Sequence, residues 1–227
     1  MENSKTSIFK KVLMALSGLF LLIFLLQHFI INFLSVINPD AFNDVSHFMG
    51  TNPLIQFIMQ PILMLGVVLH LVMGVVIEQR NRAARPIKYA YNKPDKNSSW
   101  MSRNMIITGV MVILFLGLHF YDFWLPEIKT KFIDGDFSGK LAGAEGYRYF
   151  TELQHKFMSP VRIIIYCLAF VFLALHLLHG FQSAFQTVGL NHNKYTPTIK
   201  KIGNLYAVLI PLGFIFIAVF HFINASH

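Results

Sequence analysis

Residues 12–37 read VLMALSGLFLLIFLLQHFIINFLSVI, a run of twenty-six residues with no charge and one histidine, His28. At 1.5 Å per residue such a helix is about 39 Å long, enough to cross a hydrocarbon core of about 30 Å. Comparable apolar runs follow at 54–77, 105–124, 163–185 and 205–223. The expected fold is all-α: one transmembrane domain over 1–227, a bundle of five membrane-spanning helices. Four of the runs carry a histidine deep inside, at His28, His70, His119 and His176. An imidazole is costly in hydrocarbon, so one in each of four successive spans points to ligation. Two haems, each held by two histidines, would use all four.

The composition excludes other classes. Of 227 residues 55% are hydrophobic and only 13% charged, and the mean hydropathy is +0.53, too apolar for a water-soluble domain. Cys167 is the single cysteine and lies mid-span, which excludes a disulfide framework, covalent haem attachment and a thiolate-held cluster. Any haem is therefore held non-covalently. The net charge of +8 does not indicate nucleic acid, because the basic residues flank the spans. Lys5, Lys10 and Lys11 before the first run resemble the start of a signal peptide, but no small-residue cleavage site interrupts the run, so it reads as a retained span.

Orientation follows from charge. Lys5, Lys10, Lys11, Arg80, Arg82, Arg85, Lys88, Lys93, Lys96, Arg103, Lys194, Lys200 and Lys201 fall on one side of the five spans. The other side holds six basic residues and most of the acids. The positive-inside rule makes the N-terminus cytoplasmic and the C-terminus external. The basic inner segment Arg80–Arg103 is then a candidate docking surface for a soluble partner, and part of the outer stretch Leu125–Pro160 is expected to lie at the interface as a short helix.

Helical rise sets the depth of each histidine. His28 lies about 25 Å beyond Lys11 and His119 about 24 Å beyond Arg103, both in the outer half, while His70 lies only about 12 Å from Glu78 at the inner edge. His176 shares the inner half. The expected pairs are His28 with His119 and His70 with His176. Their surroundings repeat: Ser17-Gly18 precedes His28, and Thr108-Gly109 precedes His119, each hydroxyl residue eleven positions before its histidine. Three turns separate them, so hydroxyl and imidazole share a face. His70 is followed by Gly74, and His176 by Gly180, in a shared HxxxG pattern. A glycine one turn from a ligand leaves room for a porphyrin plane, and Gly66 does so on the other side of His70. His179, one turn past His176, is a rival ligand. His221 reads as an interfacial histidine, and no acidic residue is expected in the interior of a span.

The segments SGLFLLIFLLQHFIIN, HLVMGVV, TGVMVILFLGLHFYDFW and HLLHGFQSAFQTVG resemble those of the di-haem cytochrome b membrane-anchor subunits of bacterial succinate dehydrogenases and fumarate reductases, across all five spans. The resemblance implies two b haems ligated by His28, His70, His119 and His176, in a protein of the bacterial cytoplasmic membrane. It implies an iron–sulfur subunit and a flavoprotein subunit on the cytoplasmic face, and electron exchange with a quinone, commonly menaquinone. Some di-haem relatives carry a glutamate two residues before the fourth ligand; here that position is Ala174. Asp44 and His47, in the short outer segment between the first two spans, are the candidate proton donors to a quinone. The alternatives are the cytochrome b anchor of a hydrogenase or formate dehydrogenase, or a proton-coupled transporter. The lack of membrane carboxylates weighs against the transporter.

Overall fold

Seven helices make up a computed structural model that describes residues 2–83, 105–141 and 146–225. They are α1 (Glu2–Ile37), α2 (Pro39–Thr51), α3 (Ile55–Ala83), α4 (Met105–Ile133), α5 (Tyr149–Phe157), α6 (Pro160–Thr187) and α7 (Thr196–Ala225). Five of them, α1, α3, α4, α6 and α7, are long and apolar enough to cross a membrane. The protein is a multi-pass helical membrane protein. Large apolar side chains such as Ile23, Leu114, Val161 and Ile164 face outward, as a hydrocarbon solvent allows. Most of the basic segment Arg80–Arg103 lies outside the described residues.

Local chemistry sets the helix ends. Asn38 caps α2 by accepting from the Ala41 amide at 3.1 Å, with Pro39 at the first helical position. Ser159 and Pro160 open α6 in the same way, the pairing of a polar cap with an N-terminal proline. At the end of the bundle termed outer after the charge-based expectation, α4 continues past its apolar run to Ile133, and wide i→i+5 turns occur at Ile55–Met59 in α3 and at Phe120–Trp124 and Lys129–Ile133 in α4. Pro61 and Pro126 follow the first two within two residues. A proline has no N–H to give the preceding turn, and a wide turn absorbs the misfit.

Packing defines a four-sided core. Helix α1 packs on α3 and α6, and α6 on α4, while α3 and α4 touch lightly and close the square. The pairs α1/α4 and α3/α6 therefore lie on its diagonals. Helix α7 packs along α6 and α1 outside the square. Glycines receive aromatic rings at these seams: a Cβ at Gly213 would run into the Phe29 ring, and one at Gly203 would stand 2.5 Å from Phe181. Tyr166, Phe115, Phe170 and Phe214 then meet ring to ring in that order, the first two contacts edge-on and the last stacked, with centroids 5.1–5.3 Å apart.

The outer end is closed by charge. Glu127 pairs with Lys131 at 2.5 Å and with Arg148 at 2.5 Å, and Arg148 reaches Glu152 at 2.8 Å. Lys131, 2% exposed, also donates to the Gly50 carbonyl, tying α4 to α2. The outer stretch thus contains the expected short helix, α5, together with the end of α4. Burial acts to lower the Arg148 pKa, but hydrogen bonds to Glu152 and Glu127 outweigh it and hold it above its ordinary value. Burial, and next the charge of Glu127, push the Tyr149 phenol up to about 12, so it stays protonated.

Substituting Gly213→Val should overpack the α1–α7 seam and cost about 1–3 kcal/mol. The measurement is the thermal unfolding midpoint in detergent. Gly117→Ala, where a Cβ meets nothing within 4 Å, should leave that midpoint unchanged.

Candidate functional site: two crossed histidine pairs

The four span histidines meet in two pairs, one on each diagonal. His28 of α1 and His119 of α4 have ring centroids 5.7 Å apart at an interplanar angle of 86°. His70 of α3 and His176 of α6 have centroids 6.4 Å apart at 71°. Along α1, Ser17 touches the second pair and His28 belongs to the first, so the two levels are eleven residues, roughly 16 Å, apart. The pairs are those that depth alone suggested. Among the described ring contacts His70 meets His176 and not His179.

The surrounding hydroxyls sit differently from the expectation. Ser17 lies beside His70 on the neighbouring helix, not His28 on its own, with Oγ 3.2 Å from Nδ1. Thr108 lies likewise beside His176, with Oγ1 3.3 Å from Nδ1. The spacing of eleven reflects two levels on one helix rather than one shared site. A Cβ at Gly18 would come within 3.3 Å of the His70 ring and one at Gly109 within 3.5 Å of His176. The glycines of the HxxxG pattern face methionines: Gly74 meets Met14 at 3.6 Å and Gly180 meets Met105 at 3.4 Å. The notch at Gly66 is filled by Phe20, whose ring lies 2.8 Å from the ideal Cβ position.

Two polar ladders flank the outer pair, and both escape the sequence reading. On α1, Asn32 follows His28 by one turn, with Nδ2 3.4 Å from the ring nitrogens. Ser35 donates to the Asn32 carbonyl at 2.6 Å and lies 2.8 Å from His221 Nε2. His221, near the end of α7, is fully buried in the protein; α5 and its Phe150 ring cover it, with centroids 5.6 Å apart. On α4, Asp122 is 1% exposed and gripped by the Arg162 guanidinium, Nε to Oδ2 and Nη2 to Oδ1 both at 2.9 Å. Tyr166 donates to Asp122 Oδ2 at 3.0 Å and its ring lies beside His119. The expectation of no acidic residue inside a span fails at Asp122, because α4 continues well past Trp124. The i+40 arginine that neutralises it leaves no periodic signal in sequence.

Of the quinone-site candidates, His47 stacks on Tyr147 with centroids 4.0 Å apart, and its Nδ1 is buried without a hydrogen-bond partner. Asp44 is exposed on α2. Nearby, between the outer ends of α3 and α4, an open groove of about 160 Å³ is lined by Gln56, Phe57, Gln60, Pro61, Met64, Trp124, Ile128 and Phe132. The Trp124 indole N–H is buried there without a partner.

Fold and site together define a helical membrane protein whose core aligns imidazoles in pairs across a four-helix square. Over 190 residues the chain is 25% identical to the succinate dehydrogenase cytochrome b558 subunit of Bacillus subtilis (strain 168), covering 83% of this chain and 81% of that protein. This relative bears out the resemblance of the span segments to a succinate dehydrogenase cytochrome b subunit. No protein-family model matches the chain, and no solved structure matches it.

Replacing Asp122 by Ala should strand Arg162 and Tyr166. Removing one partner of a buried pair costs about 3–5 kcal/mol, and the lower end applies here because Arg162 reaches solvent. A lowered unfolding midpoint in detergent is the expected result, and Asp122→Asn should restore little of it, because its amide carries no charge and turns an N–H2 toward donors on Arg162 and Tyr166.

Proposed function

We propose that this chain is the membrane-anchor cytochrome b subunit of a succinate:quinone oxidoreductase. His28 with His119, and His70 with His176, would each hold one b haem in its core. The observation that carries this reading is the spacing of the pairs. Two imidazoles sharing one metal ion at bonds of about 2 Å would have ring centres roughly 6 Å apart. The separations of 5.7 and 6.4 Å fit.

When bound, haem b supplies a reversible one-electron couple. The chain's own residues do the rest. Each pair holds its rings on diagonal helices, whose axes lie farther apart than those of packed neighbours. Phe115, Phe123 and Phe24 wall the outer rings with apolar surface. Groups so held would carry electrons between the two levels, and Lys10, Lys11 and Arg80 at the inner end would face an iron–sulfur and flavoprotein module on the cytoplasmic side. At the outer end the groove between α3 and α4 takes the quinone ring, a menaquinone, with the Trp124 N–H and the Gln56 amide as hydrogen-bond donors. His47 and Asp44 on the adjacent α2 supply protons from the outer surface.

Haem counting on the purified complex tests the assignment. His28→Ala or His119→Ala should lose the outer haem only, His70→Ala or His176→Ala the inner only, and His179→Ala neither. A wild-type complex with one haem or none overturns the reading.

Asp44→Asn, His47→Ala and Trp124→Phe should each depress quinone turnover at least tenfold while both haems and dye-linked dehydrogenase activity persist. Wild-type turnover in all three removes this end of the bundle from the quinone site. Cross-links from the iron–sulfur subunit should fall on Arg80–Arg103 or Asn191–Lys201; cross-links confined to Leu125–Pro160 reverse the orientation.

A further inference from the structure

Ser17 and Thr108 occupy equivalent places in two different helices, and their hydrogen bonds are the same. A hydroxyl has one hydrogen. Ser17 directs its own to the Met14 carbonyl at 2.9 Å, and Thr108 directs its own to the Met105 carbonyl at 3.0 Å. What faces Nδ1 of His70 and Nδ1 of His176 is therefore an oxygen lone pair. Each ring must carry its proton on Nδ1 to make that bond, which leaves Nε2 as the nitrogen with a free lone pair. Gly18 and Gly109 come next in sequence, and each ring edge lies against the backbone where a Cβ would stand, at 3.3 and 3.5 Å. The glycine sets where the ring lies; the hydroxyl sets which nitrogen is protonated.

The outer pair has no such arrangement. His119 Nδ1 is buried without a hydrogen-bond partner. The polar neighbour of His28 is the Asn32 amide nitrogen, a donor, 3.4 Å from either ring nitrogen. A hydroxyl that serves only to satisfy itself within a membrane helix bonds its own preceding turn and needs no partner on another helix. Ser17 and Thr108 have both, and both partners are the histidines of one pair.

We infer that Ser17 and Thr108 are matched positioning residues that select the Nδ1–H tautomer of His70 and His176 and tune the inner centre from both sides. Accepting a hydrogen bond from Nδ1–H makes an imidazole a stronger donor to a metal on Nε2. A stronger donor favours the oxidised metal, so the two hydroxyls lower the potential of the inner centre. This inference rests on the haem assignment proposed above.

The experiment is a redox titration of the purified complex, with haem content measured on the same samples, for wild type, Ser17→Ala, Thr108→Val and the hydroxyl-retaining Ser17→Thr and Thr108→Ser. Loss of either hydroxyl should shift the inner-haem equilibrium toward the reduced form by up to tenfold, about 59 mV for a one-electron couple. The outer haem should not move, and the two hydroxyl-retaining variants should titrate as wild type. If Ser17→Ala loses the inner haem while Ser17→Thr retains it, the acceptor role stands, because the larger residue is the one tolerated. Unchanged inner potential in both Ser17→Ala and Thr108→Val, or loss of the haem from Ser17→Thr as well, overturns the inference. A wild-type complex lacking two haems fails the assignment instead, and the haem measurement separates the two failures.

Discussion

An imidazole at bilayer depth has no water to turn to, and only the protein can meet its polar atoms. That constraint organises the core. The inner histidines are met by hydroxyls whose own hydrogens are already engaged in the preceding turn, and the outer pair is bracketed by the Asn32–Ser35–His221 and Asp122–Arg162–Tyr166 ladders. Neighbouring helices in the square supply the hydroxyls, and diagonal helices supply the opposing rings. The arrangement needs α1, α3, α4 and α6 together.

The number of spans and the depth of the histidines were legible because they depend on one coordinate, distance along a helix. Run length and helical rise contain it, and the pairing by depth agrees with the ring contacts. Rotational information was harder to extract. Ser17 and Thr108 were recognisable as a repeated feature, but the eleven-residue spacing does not say whether a hydroxyl serves its own helix or the next. The burial of Asp122 and His221 was missed for another reason: their partners, Arg162 and Ser35, are 40 and 186 positions away. Those partners come from tertiary packing and leave no local trace. Gly66 looked like clearance for a cofactor, whereas Phe20 from the facing helix fills it.

The outer end is built on a different principle from the core. There the chain leaves hydrocarbon, and Lys131, Glu127, Arg148 and Glu152 form a partly buried charge network in place of apolar packing. Wide turns in α3 and α4 lie beside it and beside the groove that holds Trp124. Pairing of the charges offsets their desolvation, and the network holds α2 and α5 over the ends of the bundle.

The repeat has a consequence for assembly. Met14, Ser17, Gly18 and His28 correspond to Met105, Thr108, Gly109 and His119, and His70 and Gly74 to His176 and Gly180. The chain is thus two similar halves, α1 with α3 and α4 with α6. Neither half owns a complete pair, since each pair takes one ring from either half. A group gripped between two such rings is a rivet through both halves. For a group so held, binding and the closing of the square would be a single equilibrium.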